Sequence, residues 1–117
     1  MLINITTTPR KFTVGNDNRI VISDFGKIKL EPNEMITFKS TDDLEYDVVS
    51  KEWGFYATPS MNDRLLREGF KSALVKNLNN QHYIMLVDKN KLKTFEEYLI
   101  SEKQEIVNWL DEIVVFK

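Results

Sequence analysis

Residues 52–65, EWGFYATPSMNDRL, place three aromatics, a glycine, a proline, a serine and an arginine within fourteen positions. No other stretch of the chain is as dense in side chains able to hold a ligand. Ser60 is placed to cap a short helix with Asp63 three positions on, and Thr58 with Pro59 offers a rival register. The unpaired N–H groups at a helix start attract anions. Arg64 lies one turn in, where a guanidinium can grip a carboxylate or phosphate through two donors. Tyr56, Ser60, Asn62 and Arg64, joined by Lys51 from the preceding bend and walled by Trp53, form a candidate pocket for an anionic sugar or nucleotide sugar. Sugar rings favour such an aromatic wall with amide and guanidinium partners. A structural account covers much of the same ground. In it Trp53 and Phe55 are core, Gly54 relieves crowding, Pro59 starts the helix, Arg64 is solvated, and Asp63 occupies the helix terminus in place of an anion.

Catalytic chemistry has fewer candidates. His82 is the only histidine, and it has no cysteine or neighbouring acid to complete a triad or metal set. An enzyme acting on a sugar or nucleotide would have to draw its acid and base from Tyr56, Asp47 and His82. The sequence contains no GxGxxG, P-loop, HExxH or EF-hand spacing, and no cofactor or metal is implied. The acidic run TDDLEYD lacks the turn glycine and the terminal bidentate acid of a calcium loop, so it reads as a solvated turn and strand face. Lys89, Lys91 and Lys93 read as the polar entry to a helix.

The elements that must position these residues are short. Between residues 10 and 58, RKFTV, RIVIS, KIKL, MITFKS, LEYDVV and WGFYA alternate with the turn formers GNDN, DFG, EPNE and TDD, the pattern of an antiparallel meander or small barrel. Leu44, Tyr46 and Val48 occupy even positions, whereas Trp53, Phe55 and Ala57 occupy odd ones. A period-two strand cannot serve both sets, so a bulge or turn is expected at 50–52. Met61, Leu65 and Leu66 form the stripe of a short helix closed by Gly69. KSALVKN and QHYIMLVD flank LNN as a hairpin. From Asn90 the spacing of Leu92, Phe95 and Leu99, and again of Ile106, Leu110 and Ile113, predicts helix; SEKQ between them resembles a capping box, so either two helices meet near Ser101 or one helix continues through a mild break. The tail IVVFK is expected to dock or to add a strand.

A chain of 117 residues with 42% hydrophobic and 29% charged residues fits one globular domain. Sixteen basic residues against eighteen acidic ones, mixed along the chain, exclude a protein built mainly to neutralise nucleic-acid phosphates. The absence of cysteine excludes disulfides, thiolate metal sites and cysteine nucleophiles. The start, MLINITTTPRKF, has no basic n-region or cleavage site, and no apolar run reaches the ~20 residues of a membrane span. A cytoplasmic location is therefore expected.

The run KEWGFYATPSMNDRLLREGFKSALVKN, followed by YIMLVDKNKLKTFEEYL, resembles a family of small uncharacterised bacterial proteins encoded among surface-polysaccharide (O-antigen, lipopolysaccharide) biosynthesis genes. The likeness runs from DFGKIKLEPNEMITF through NWLD and implies a cellular setting without catalytic residues. Together these readings predict an α+β fold: an N-terminal antiparallel sheet or barrel-like meander, a short central helix, a β-hairpin, and a C-terminal helical segment packed on the sheet. They predict a non-catalytic accessory protein that engages a partner enzyme or an anionic sugar, with the C-terminal helices as a homodimer seam.

Overall fold

The computed structural model describes residues 1–112. Three open antiparallel sheets follow one another along the chain. Strands β1 (Leu2–Val14) and β2 (Ile20–Lys29) form a two-stranded ribbon. Strands β3 (Met35–Lys39), β4 (Glu45–Lys51) and β5 (Gly54–Ala57) form a second sheet. A single helical turn, α1 (Arg64–Arg67), leads into β6 (Phe70–Lys76) and β7 (His82–Asp88). Helix α2 (Leu92–Glu102) and strand β8 (Glu105–Trp109) complete the third sheet, ordered β7-β6-β8. The α+β class is as expected; the meander is instead a ribbon and a separate sheet, because DFG does not break the chain but runs inside β2.

Apart from DFG, the turns are where the sequence places them, each for a local reason. In GNDN, Gly15, Asp17 and Asn18 all take positive φ, a conformation open to Gly and tolerated by Asn and Asp. Pro32 and Asn33 occupy the central positions of a turn in which Glu34 N–H donates to the Glu31 carbonyl, and Asn33 has the positive φ required there. The predicted break before Gly54 is a two-residue turn: Lys51 pairs with Gly54, leaving Glu52 and Trp53 at the corner.

The core lies in the third sheet. Ala73 and Val75 of the central strand β6 are fully buried, together with Leu99 of α2, and Met85, Phe95, Ile106 and Trp109 close around them. The register puts Ala73, Val75, Met85, Ile106 and Trp109 on one sheet face, and α2 crosses that face with Phe95 against Trp109, ring centroids 6.0 Å apart.

The second predicted helix is not formed. Lys103 adopts the left-handed conformation, and the N–H groups of Lys103 and Gln104 close back on the carbonyls of Ile100 and Leu99. SEKQ is thus a helix stop, of the Schellman type, and not a start. Ile106 then pairs with Val75 and Trp109 with Ala73 on the open edge of β6. β-Branched Ile106 and Val107 suit a strand, and a register shift leaves Val107 out of the pairing. The seam of two C-terminal helices expected for a homodimer is therefore reduced to α2 alone. The tail IVVFK, expected to dock or to add a strand, lies outside the described residues.

Candidate functional site

On the second sheet, Thr37, Asp47 and Thr58 lie in one cross-strand row, and Met35, Val49 and Tyr56 lie in the next row on the same face. Asp47 accepts from the Thr37 hydroxyl at 2.6 Å. Arg64 enters this face from α1: it donates to Thr58 Oγ1 at 2.9 Å and lies 3.6 Å from both Asp47 Oδ2 and Glu68 Oε1. The guanidinium is thereby matched to two carboxylates and a hydroxyl of its own chain, so its role is to tie α1 to the sheet. Ser60 assists, since its hydroxyl accepts the Arg64 N–H at 3.1 Å and its carbonyl accepts the Leu65 N–H. Ser60 thus braces the start of α1, but the helix begins at Arg64 with Asp63 and not Ser60 in the N-cap position, and no side chain caps it there, so the expected capping box is not formed. Asn62 is exposed on the loop between them.

We expect Arg64→Ala to lower stability by about 1 kcal/mol, because Asp47 loses its cation and Thr58 a donor while solvent screens part of the effect. Urea denaturation checks this, and an unchanged midpoint would show that the network contributes nothing.

The aromatic part of the site differs from its structural reading. Trp53 sits at the corner of the turn and is 72% exposed, and Phe55 is 66% exposed; neither is core. A residue at a hairpin corner leaves the alternation of the strands beside it, so the odd-position pattern of Trp53, Phe55 and Ala57 does not describe one buried face. Phe55 points away from Tyr56, as alternation demands, but Trp53 folds back and stacks on Tyr56 with centroids 6.1 Å apart and planes 19° from parallel. The pair forms an open aromatic platform.

Beside it, Pro32, Asn33, Lys51, Glu52 and Trp53 line a shallow cleft of about 270 Å³. Lys51 Nζ donates to Asn33 Oδ1 at 2.7 Å and keeps two N–H donors for another acceptor. The predicted set is thus divided. Lys51, Trp53 and Tyr56 belong to the platform and cleft, whereas Ser60 and Arg64 serve the α1 junction.

His82 is elsewhere, at the start of β7, with Nδ1 3.0 Å from the Asn80 carbonyl oxygen. Tyr56 and Asp47 share a sheet face, and His82 does not join them.

Sequence reasoning missed a second concavity. Asn16 from the ribbon turn, Asn77, Asn79 and Tyr83 from the β6–β7 hairpin, and Glu102 and Gln104 from the end of α2 line a cleft of about 360 Å³. Its signal was the amide-rich NLNNQ, which reads equally well as turn chemistry. Asn77 does close that turn, accepting the Asn79 and Gln81 N–H groups on its side-chain oxygen. Glu102 is engaged too, accepting the Asn16 N–H at 2.7 Å.

Fold and site together define an α+β protein with an exposed aromatic platform and a neighbouring polar cleft that carries Lys51 and Glu52. The chain matches no family model, no curated protein and no solved structure.

Proposed function

We propose that this chain is a non-catalytic cytoplasmic accessory protein of bacterial surface-polysaccharide assembly, binding an anionic sugar of the nucleotide-sugar type, or a partner enzyme that handles one, on the Trp53–Tyr56 platform. The observation that carries the reading is the stacked, solvent-facing pair beside Lys51. An exposed indole gains area burial and face-to-face contact only when something covers it. A sugar ring offers an apolar face for that contact, and Lys51 offers donors to a phosphate or carboxylate next to it. The cellular setting rests on the sequence resemblance. Among the described residues no helix is long and apolar enough to cross a membrane.

The test is an NMR titration that follows the Trp53 indole N–H during addition of nucleotide sugars and phosphorylated sugars. Trp53→Ala is expected to weaken binding at least about tenfold, in the range of a lost stacking contact. Lys51→Ala should weaken charged ligands more than neutral sugars, and Arg64→Ala should leave affinity within about twofold, since Arg64 is engaged by its own chain. If none of these ligands moves the Trp53 resonance at millimolar concentration, the sugar reading is lost and a partner protein takes its place on the platform.

A further inference from the structure

We propose that one face of the β1–β2 ribbon is a self-association surface that packs on the same face of a second copy of this chain. Its register gathers Ile3, Ile5, Phe12 and Val14 of β1 with Ile22 and Ile28 of β2 on a single side. Residues 6–9 of β1 bulge out opposite Phe25, and this irregularity changes the parity of β1 so that odd and even apolar positions meet on one face. The six are 36% to 60% exposed. Lys11, Lys27 and Lys29 occupy the opposite face, with Phe25 between them and Leu2 and Val21 at its two ends.

The ribbon is held at its ends. Asn16 and Arg19 bond to Glu102 and Ser101 at the end of α2, and the Met1 ammonium pairs with Glu34. Between those anchors its apolar side lies open along the ten residues of β2, or about 33 Å. A two-stranded ribbon without a covering layer is marginal in water.

The chain as a whole leaves open more surface than a compact monomer needs. The chain exposes 8894 Å², against about 6,600 Å² for a compact monomer of its mass. The difference exceeds the roughly 900 Å² that residues 113–117 could add even as open chain, and the remainder exceeds the roughly 800 Å² that each partner gives to a standard interface. The radius of gyration, 16.1 Å, is likewise above the roughly 13 Å of a compact domain of this length.

Charge points to a second copy as the occupant. Arg10 and Asp24 pair across the ribbon at 3.1 Å, midway along the apolar face. In a closed dimer the same patch must complement itself. If the two-fold axis runs along the ribbon, β1 lies over the β2 of the other copy, and Arg10 lies over the partner's Asp24. An axis across the ribbon would set like charges together. The face is self-complementary in only the first arrangement.

Sedimentation equilibrium of the full chain tests the proposal, with circular dichroism to confirm that each variant is folded. The wild type should be a dimer, Ile5→Lys and Ile22→Lys should each raise the dimer dissociation constant at least about 100-fold by burying an unpaired charge, and Lys27→Glu on the opposite face should leave it unchanged. Arg10→Asp alone and Asp24→Arg alone should be monomeric, whereas an equimolar mixture of the two should dimerise. Each single variant breaks the pair within its own chain, so recovery in the mixture reports contact between copies. A wild type that stays monomeric at about 100 μM, above the micromolar limit of standard interfaces, would overturn the proposal and assign the face to another partner. So would face variants that remain dimeric, or a folded mixture that remains monomeric.

Discussion

Asp111→Ala is expected to lower folding stability by about 3 to 5 kcal/mol, a large share of the ~5–15 kcal/mol that small domains possess. The Asp111 side chain is 1% exposed and pairs with Lys71 Nζ at 3.0 Å, while its other oxygen accepts the Ser72 N–H at 2.9 Å. Lys71 is itself 16% exposed and lies 4.6 Å above the centre of the Trp109 ring. Removing the carboxylate leaves a half-buried ammonium with only the surface partner Glu112, and leaves the N–H of the fully buried Ser72 without an acceptor. Asp111→Asn separates the two effects: it keeps an acceptor for Ser72 and loses the charge, so about half of the cost should remain. Urea denaturation of the three proteins measures this, and equal midpoints would show that the pair does not hold Leu110–Glu112 to β6.

The same pair sets a pH window. Burial alone would raise the Asp111 carboxyl, but the Ser72 N–H and the Lys71 ammonium outweigh it and hold it below the ordinary carboxylate value. A depressed folded pKa gives stability that is present above the unfolded value of about 3.9 and lost as pH falls through the folded one. Burial likewise pulls Lys71 down, and Asp111 and Glu112 together hold it above the ordinary lysine value. That stability is present below about 10.4 and lost as pH rises through the folded value. Stability plotted against pH should therefore fall at both ends in the wild type, and the acid limb should flatten in Asp111→Asn.

Gly26→Ala should have the second largest effect, about 3 kcal/mol, concentrated in the ribbon. Gly26 has φ of 135°, a value that side-chain-bearing residues avoid. A Cβ there would run into the backbone carbonyl of Asn4 on the paired strand. Backbone cannot rotate away as a side chain can, so the pairing of Ile5 with Gly26 must open. The ribbon is anchored at its ends, so the damage should appear as local opening. Hydrogen exchange at the β1 and β2 amides should accelerate by about two orders of magnitude, with β6 and β7 unchanged. If the dimer forms through this face, it should weaken in the same variant. Unchanged exchange in the ribbon would show that the backbone accommodates the methyl.

Parts of this architecture were legible because they are local. The turns at GNDN, EPNE and TDD, the hairpin around LNN and the bonds from Ser60 to the start of α1 each depend on residues within five positions of one another. Helix α2 was legible for the same reason, since Leu92, Phe95 and Leu99 recur at the helical period. Ile106, Leu110 and Ile113 recur at that period too, yet Ile106 belongs to a strand. What decided the matter was the vacant edge of β6 some thirty residues earlier, an edge that exists only after the hairpin has formed.

The candidate site divides along the same line. The amino-acid sequence by itself determined that residues 52–65 combine a turn, exposed-type polar groups and a short helical turn, because those are consequences of residue type and short spacing. Only the tertiary structure decided that Arg64 meets Asp47 and Glu68, that Trp53 lies open on Tyr56, and that Arg10 and Asp24 interrupt one apolar face. Each of these depends on strand register and on a bulge or corner that changes which side a residue faces. A one-residue difference in register inverts the answer, and no local propensity specifies it.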